Sequence, residues 1–428
     1  MSILTGIHKP PLFTNMKQNL YLATSDTEIA VLIAREVKRQ AEELELIASE
    51  NYVSPAVLEA LASPLANKYS EGYPGKRYYG GNSVIDEVEN LAIARAKELF
   101  SAEHVNIQPL SGSPANAAIY MALIKPGDTV LGLRLDHGGH LSHGHPINFS
   151  GMMYNFVQYG LNEQGLIDMD QVRALALEHK PKMIVAGFSA YSREVDWKMF
   201  ADIAKEVDAL TFADISHPAG LIAAGVLANP VPYFDVVMTT THKTLRGPRG
   251  AMIMCKEIHA KAIDRAVFPG LQGGPHDNMT AAKAVAFGEA LRPDFKDYAK
   301  QVVVNAQAMA KEFSKLGYDI VSGGTDNHLF VIDLRNKNLS GKEAEKVLDA
   351  IGISVSRSTI PNDPNPPLNP SGLRLGTAAI TTRGCTADDC RTIAQLIDKA
   401  LMQKDNENVL NECQSAIKTL CAQYPLPY

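Results

Sequence analysis

Cysteine is scarce in this chain: five residues (Cys255, Cys385, Cys390, Cys413 and Cys421) among 428. The odd count excludes a fully paired disulfide framework and suits a reducing, cytoplasmic compartment. No apolar run approaches the roughly 20 residues of a membrane-spanning helix, so no membrane partner is expected. The first 24 residues contain two lysines and no arginine. They lack the features of a secretory signal or a transit peptide, and read as an arm that packs on a neighbouring chain. Positive charge is not in excess: 41 Lys and Arg face 47 Asp and Glu, for a net charge of −6. Nucleic acid needs a concentrated basic surface and is not an expected partner. There is no GxGxxG after a strand. Gly72-x-x-Gly75-Lys76 is too short for a phosphate-binding Walker loop and is followed by Arg77 instead of Ser or Thr. Neither HExxH nor a cysteine pair marks a metal site, and no metal is expected. Internal repeats and low-complexity tracts are also missing.

What is present is ordinary for a globular protein: 46% hydrophobic and 21% charged residues, over a length that suits two or three units. Apolar spacing predicts an amphipathic helix over Glu28–Leu46, and another over Val84–Phe100. The Gly-, Tyr- and Pro-rich stretch between Asn67 and Asn82 reads as a loop. Buried strands are expected at Val130–Leu135, Met183–Phe188, Ala209–Ala213, Val236–Thr239 and Ala251–Cys255. Helical patterns at Asp170–His179 and Lys198–Val207 lie between them. The alternation predicts an α/β fold: a large unit with a mainly parallel central sheet flanked by helices. From about Arg292 a smaller α/β unit follows. It has helices at Asp294–Leu316, Gly341–Ile351 and Ala387–Leu401, a strand at His328–Leu334 and a proline-rich loop from Pro361 to Pro370. The expected division is 1–40 as arm and helix, 41–291 as the large unit and 292–428 as the small one.

Chemistry concentrates where strands end. Asp214 closes one buried strand, with His217 three residues on, and Lys243 follows the next strand, bracketed by Thr240, His242 and Gly247–Gly250. Ligands in such sheets sit beyond the carboxyl ends of the strands. A paired amine and carboxylate there suit pyridoxal phosphate, which needs a lysine for its aldehyde and an acid to keep its ring nitrogen protonated. Ser113 is positioned to cap a helix opened by Pro114, and small residues at such an end suit a phosphate. His137, His140, His143 and His145 crowd one glycine-rich loop. It reads as one functional ring, His140 against a cofactor face, among several structural ones.

These residues resemble serine hydroxymethyltransferase, a fold-type I PLP-dependent transferase. The likeness runs from about Glu28 to the C-terminus and includes Glu45–Asn51, Asn67–Gly81, Asp136–Gly144, Thr239–Gly250, Phe268–Pro275 and Ser322–His328. It implies Lys243 as the Schiff-base lysine, Asp214 on the ring nitrogen and His140 stacked on the ring. His217 and Ser189 would sit near the phenolic oxygen. Ser111, Gly112 and His242 would hold the phosphate, joined by Tyr69 and Gly274 of a second subunit in a homodimer. Arg374, assisted by Ser49, would bind the amino-acid carboxylate. Glu71, flanked by Tyr79, would be a neutral acid that shuttles the hydroxyl proton, and Thr240 would complete the catalytic group. Leu135, Gly139, His140 and Leu141 would line a folate slot, with Ser358, Pro366, Pro367 and Leu368 opposite.

The implied reaction carries the serine hydroxymethyl carbon to tetrahydrofolate. Bacterial members typically carry Asn at the positions of Ser356 and Ser358, and Ser-Pro-Phe at Pro366–Leu368. Those departures bear on folate affinity. The alternative is a folate-independent aldolase acting on threonine-like or α-methyl β-hydroxy amino acids.

Overall fold

In the computed structural model, residues 19–428 are described, so most of the expected arm lies outside them. Two helices open the described chain, Asn19–Ser25 and Thr27–Glu42. Asp26 caps the second by accepting from the Ile29 amide. Its apolar stripe stays in the open: Ile29, Leu32 and Ile33 are 45%, 53% and 45% exposed. The helix stops four residues before the expected Leu46. Leu44–Glu45 form a short strand, β1, which pairs in parallel with Ile353–Ser354. Local periodicity favoured a helix here, and long-range strand pairing overrode it.

The stretch from 67 to 82 folds into a strap around a small hairpin, β2 (Gly72–Tyr73) and β3 (Lys76–Arg77). Gly72 sits at φ +97°, and a Cβ there would strike the Lys76 carbonyl, so only glycine fits. Arg77 pins the strap from inside. It donates to Asp86 at 2.8 Å, to buried Glu89 at 2.6 Å, and to the carbonyls of Ser70 and Gly72. Ser70 donates to Asp277 at 2.7 Å. Tyr69, Tyr78 and Tyr79 of the strap are exposed, while Tyr73 turns inward and donates to the Asp264 carbonyl at 2.6 Å.

The central sheet contains β4 (His104–Asn106), β5 (Thr129–Leu133), β6 (Asn155–Tyr159), β7 (Met183–Gly187), β8 (Leu210–Asp214), β9 (Val236–Thr240) and β10 (Ala251–Cys255). Their order is β4-β10-β9-β8-β7-β5-β6, with β10 alone antiparallel to its neighbours. Every residue of β7, β9 and β10 is buried, which explains their unbroken apolar runs. Successive residues pack on opposite faces: Ile184 and Ala186 in one core, Met183 and Val185 in the other.

The second sheet is antiparallel, built from β11 (Asp319–Ile320), β12 (Leu329–Asp333), β14 (Ser356–Ser358) and β15 (Gly372–Gly376), while β13 (Ile353–Ser354) pairs with β1. Helices Pro293–Lys315 and Gly341–Ala350 pack on it, Ala387–Met402 packs on those two, and Glu407–Gln423 packs on Ala387–Met402. Leu44 and Leu46, expected at the start of the large unit, belong to this core. So do Cys385, Cys390, Cys413 and Cys421. Burial pushes the Cys385 thiol up to about 12, so these cysteines serve as packing residues.

Candidate active site

The carboxyl ends of β8 and β9 open onto a cavity of about 230 Å³. Ser111, Gly112, His140, Asp214, His217, Thr240, His242 and Lys243 all line it, so residues expected to cooperate do share one space. Its floor is the N-terminus of the helix Gly112–Leu123. Here the expectation needs correcting: Ser111, not Ser113, is the N-cap, Gly112 takes the first helical position and Pro114 the third. No side chain caps this end, which leaves its amides facing the cavity. A Cβ on Gly112 would lie 2.9 Å from Thr240 Cγ2, so the approach of helix to strand needs glycine.

Asp214 is held from both sides. His143 Nε2 lies 3.0 Å and Asn116 Nδ2 3.2 Å from Oδ2, while the Ser216 amide and hydroxyl donate to Oδ1 at 3.0 and 2.6 Å. Burial opposes its charge, but the bond from His143, the imidazoles nearby and Ser216 hold the carboxyl well below its usual range. Lys243 is lowered as well, which here favours the uncharged form. Burial, reinforced by Arg374 and Arg249 against the pull of Asp214, lowers its ammonium to about 8. Burial also brings His140 to about 4 and His242 to about 3, so both rings are neutral near neutral pH. His217 Nδ1 lies 3.1 Å from His328 Nε2, with the two rings stacked. Among the described residues, three buried side-chain atoms on the cavity wall lack partners: Asn116 Oδ1, Thr240 Oγ1 and His242 Nδ1.

Arg374 sits in the middle of β15, opposite Val331 and Ser356. Its Nη1 donates to the Ser189 carbonyl at 2.6 Å and its Nε to Ser356 Oγ at 3.1 Å. Among the described residues no carboxylate pairs with it, and burial alone lowers it to about 10. A buried guanidinium without an acid has chemistry suited to an anion. Ser356 thus holds the Arg374 side chain through its hydroxyl oxygen. The loop with Ser49 packs against the same strand, where the Gly376 amide donates to Leu46 O.

A second group of expected residues lies elsewhere on the chain. The Tyr69 hydroxyl is 3.3 Å from Glu71 Oε1, and the Tyr69 and Tyr79 rings meet edge-on at 5.3 Å. A Cβ on Gly274 would touch the Tyr69 ring at 3.4 Å. Tyr69 and Tyr79 are 56% and 51% exposed, and none of these four residues lines the cavity at Lys243.

The folate-slot residues are more dispersed. Leu135 and Leu141 are exposed on the loop after β5, and a Cβ on Gly139 would collide with the Leu133 carbonyl. The Ser358 hydroxyl donates to Thr359 O at 3.0 Å, and Leu368 is 85% exposed beside Pro366 and Pro367.

The histidine loop divides in two. His137 and His145 accept from the amides of Leu161 and Ile147, as structural rings do. His140 and His143, however, both approach Asp214, each of the three offering one ligand atom within 4.8 Å of the others. His143 was expected to be structural, yet it bridges Asp214 and the Tyr120 hydroxyl. Asn116 and Ser216 went unnoticed at Asp214, and so did His328 at His217. Only their positions near the strand ends could have drawn attention to them.

The family model described as serine hydroxymethyltransferase matches residues 22–397. The chain belongs to the serine hydroxymethyltransferase family. That makes it a fold-type I pyridoxal-phosphate enzyme, in agreement with a mostly parallel sheet flanked by helices. Serine hydroxymethyltransferases are transferases of serine, glycine and one-carbon metabolism. The matched span covers both the cavity at Lys243 and the strap with Glu71. Among the described residues, no helix is long and apolar enough to cross a membrane.

Proposed function

We propose that this chain is a glycine hydroxymethyltransferase: it moves the serine hydroxymethyl carbon reversibly to tetrahydrofolate, giving glycine and 5,10-methylenetetrahydrofolate. The observation that carries the reading is the shared cavity, in which a buried, depressed lysine and an ionised aspartate face an uncapped helix end. Thr240 Oγ1 and His242 Nδ1, buried without partners beside that helix, fit a phosphate. Lys243 would hold pyridoxal phosphate covalently, Asp214 would meet its ring nitrogen, and His140 would cover its face. Ser111, Gly112 and His242 would take the phosphate, with His217 and Ser189 at the phenolic oxygen. When bound, the cofactor supplies an electron sink for the carbon–carbon cleavage.

This chain's own groups do the rest. The Arg374 guanidinium, which no described carboxylate neutralises, receives the substrate carboxylate, with Ser49 beside it, and Ser356 keeps it oriented. Glu71, whose Oε1 accepts from Tyr69, takes and returns the proton of the substrate hydroxyl, next to Tyr79. Lys243 is poised to exchange protons near neutral pH. Tyr69, Glu71, Tyr79 and Gly274 lie apart from Lys243 within one chain, which supports a homodimer in which they serve the other copy's cavity. The uncovered stripe of Ile29, Leu32 and Ile33 supports the same reading. Residues 41–291 and 292–428 are the proposed large and small units, and free cysteines suit a cytoplasmic setting.

A folate-independent aldolase is the second reading. The Ser358 hydroxyl, spent on its own loop, and the exposed Leu368 favour it. Serine cleavage measured with and without tetrahydrofolate separates the two. The transferase requires a marked acceleration by folate, whereas equal rates would replace it with the aldolase.

A further inference from the structure

The hydroxyl of Ser216 has no part in the scheme above, yet it is buried at the wall of the cavity and touches the one carboxylate there. Its geometry has a single solution. The Thr240 amide donates to Ser216 Oγ at 3.0 Å, so the hydroxyl proton must be directed at another partner. Two acceptors remain: Asp214 Oδ1 at 2.6 Å, and the weak thioether of Met238 at 3.7 Å. The short bond to an ionised oxygen wins. Oδ1 is then held by the Ser216 amide and hydroxyl together, while Oδ2 is held by His143 and Asn116. The same hydroxyl ties the end of β8 to the end of β9, which lead to Asp214 and Lys243 respectively.

We propose that Ser216 is a positioning residue, which through Asp214 fixes an oriented anion opposite the basic ring nitrogen of the bound cofactor. This rests on the assignment of Lys243 and Asp214 to pyridoxal phosphate. Removing the hydroxyl leaves Oδ1 with the amide alone and frees the carboxylate to turn. Only a ligand with a protonatable ring nitrogen senses that change.

The test compares two cofactors on full-length apoprotein by fluorescence titration: pyridoxal phosphate, and 1-deazapyridoxal phosphate, in which carbon replaces the ring nitrogen. Ser216→Ala should weaken the first about tenfold, the worth of one hydrogen bond to a charged group, and the second by less than about twofold. Ser216→Thr, which keeps a hydroxyl, should restore the affinity. If the alanine variant does not fold, Ser216→Cys offers a weaker donor and should show the same selectivity in smaller measure. Equal weakening of both cofactors, or unchanged affinity for pyridoxal phosphate, overturns the proposal. If the wild type binds neither cofactor, the assignment of the cavity itself fails, an outcome distinct from loss of selectivity.

Discussion

Lys243 offers the sharpest quantitative prediction, because its reactivity depends on how far the fold lowers its pKa. Burial is the main cause, Arg374 and Arg249 add to it, Asp214 opposes it, and the result is about 8 against an ordinary 10.5. At about pH 7, roughly one copy in eleven then carries a neutral amine, against about one in 3,000 for an unperturbed lysine, a gain near 300-fold in the nucleophilic form. The rate at which apoprotein couples to pyridoxal phosphate should climb about tenfold per pH unit up to about pH 8 and then level off. Stopped-flow absorbance of the lysine-bound cofactor follows this directly, and Lys243→Ala serves as the blank.

Substitutions should move the break in opposite directions. Arg374→Met removes a repelling cation and shifts it to higher pH. Asp214→Asn removes an attracting anion and shifts it lower, even as cofactor retention suffers. The stability of the apoprotein carries the same sign. Because the unfolded chain binds this proton more tightly, stability rises with pH between about 8 and 10.5, by at most about 1.4 kcal/mol per unit. A coupling rate still climbing about tenfold between about pH 8.5 and 9.5, as an unperturbed lysine requires, or a reversed order of the variants, would refute the argument.

Other perturbations test other parts of the structure. Arg374→Lys loses the planar fork and one or more charge-assisted bonds, so glycine should bind the holoenzyme about 10- to 150-fold more weakly by calorimetry. A change below about twofold would remove Arg374 from the carboxylate site. Gly112→Ala brings a methyl against Thr240 Cγ2, and overpacking of this kind costs about 1–3 kcal/mol. Retention of pyridoxal phosphate on dialysis should fall accordingly, and undiminished retention would place the phosphate elsewhere. Arg77→Met strands buried Glu89, and urea unfolding should show a loss of about 3–5 kcal/mol. A loss under about 1 kcal/mol would mean that the strap is anchored by other contacts.

The elements legible in the sequence were those whose burial is continuous. Ala251–Cys255 matches β10 residue for residue, and Met183–Phe188 overshoots β7 by one. Polar His104–Asn106 and half-exposed Asn155–Tyr159, the two edge strands, show no such run and were missed. β15 escaped for a different reason: glycines at both ends and Arg374 in the middle mask its alternation. Leu44 misled because its strand partner, Ile353, lies far along the chain. The helix cap slipped from Ser113 to Ser111 because Ser-Gly-Ser offers two caps and Gly112 accepts a helical position.

At the site, Lys243 and Asp214 stand at strand ends and could be read directly. Asn116 and His143, 98 and 71 residues from Asp214, act through tertiary contact that periodicity does not encode. Nor does a sequence say whether Glu71 and Lys243 meet in one chain or across two.

That last point is the one on which the functional reading turns, and subunit mixing decides it. Lys243→Ala and Glu71→Gln proteins, each inactive in serine cleavage with tetrahydrofolate, are unfolded together and reassociated. If the two residues serve one site from different copies, half of the dimers are hybrids with one intact site, and about a quarter of the wild-type rate returns. A mixture no more active than its separate components would contradict the shared site.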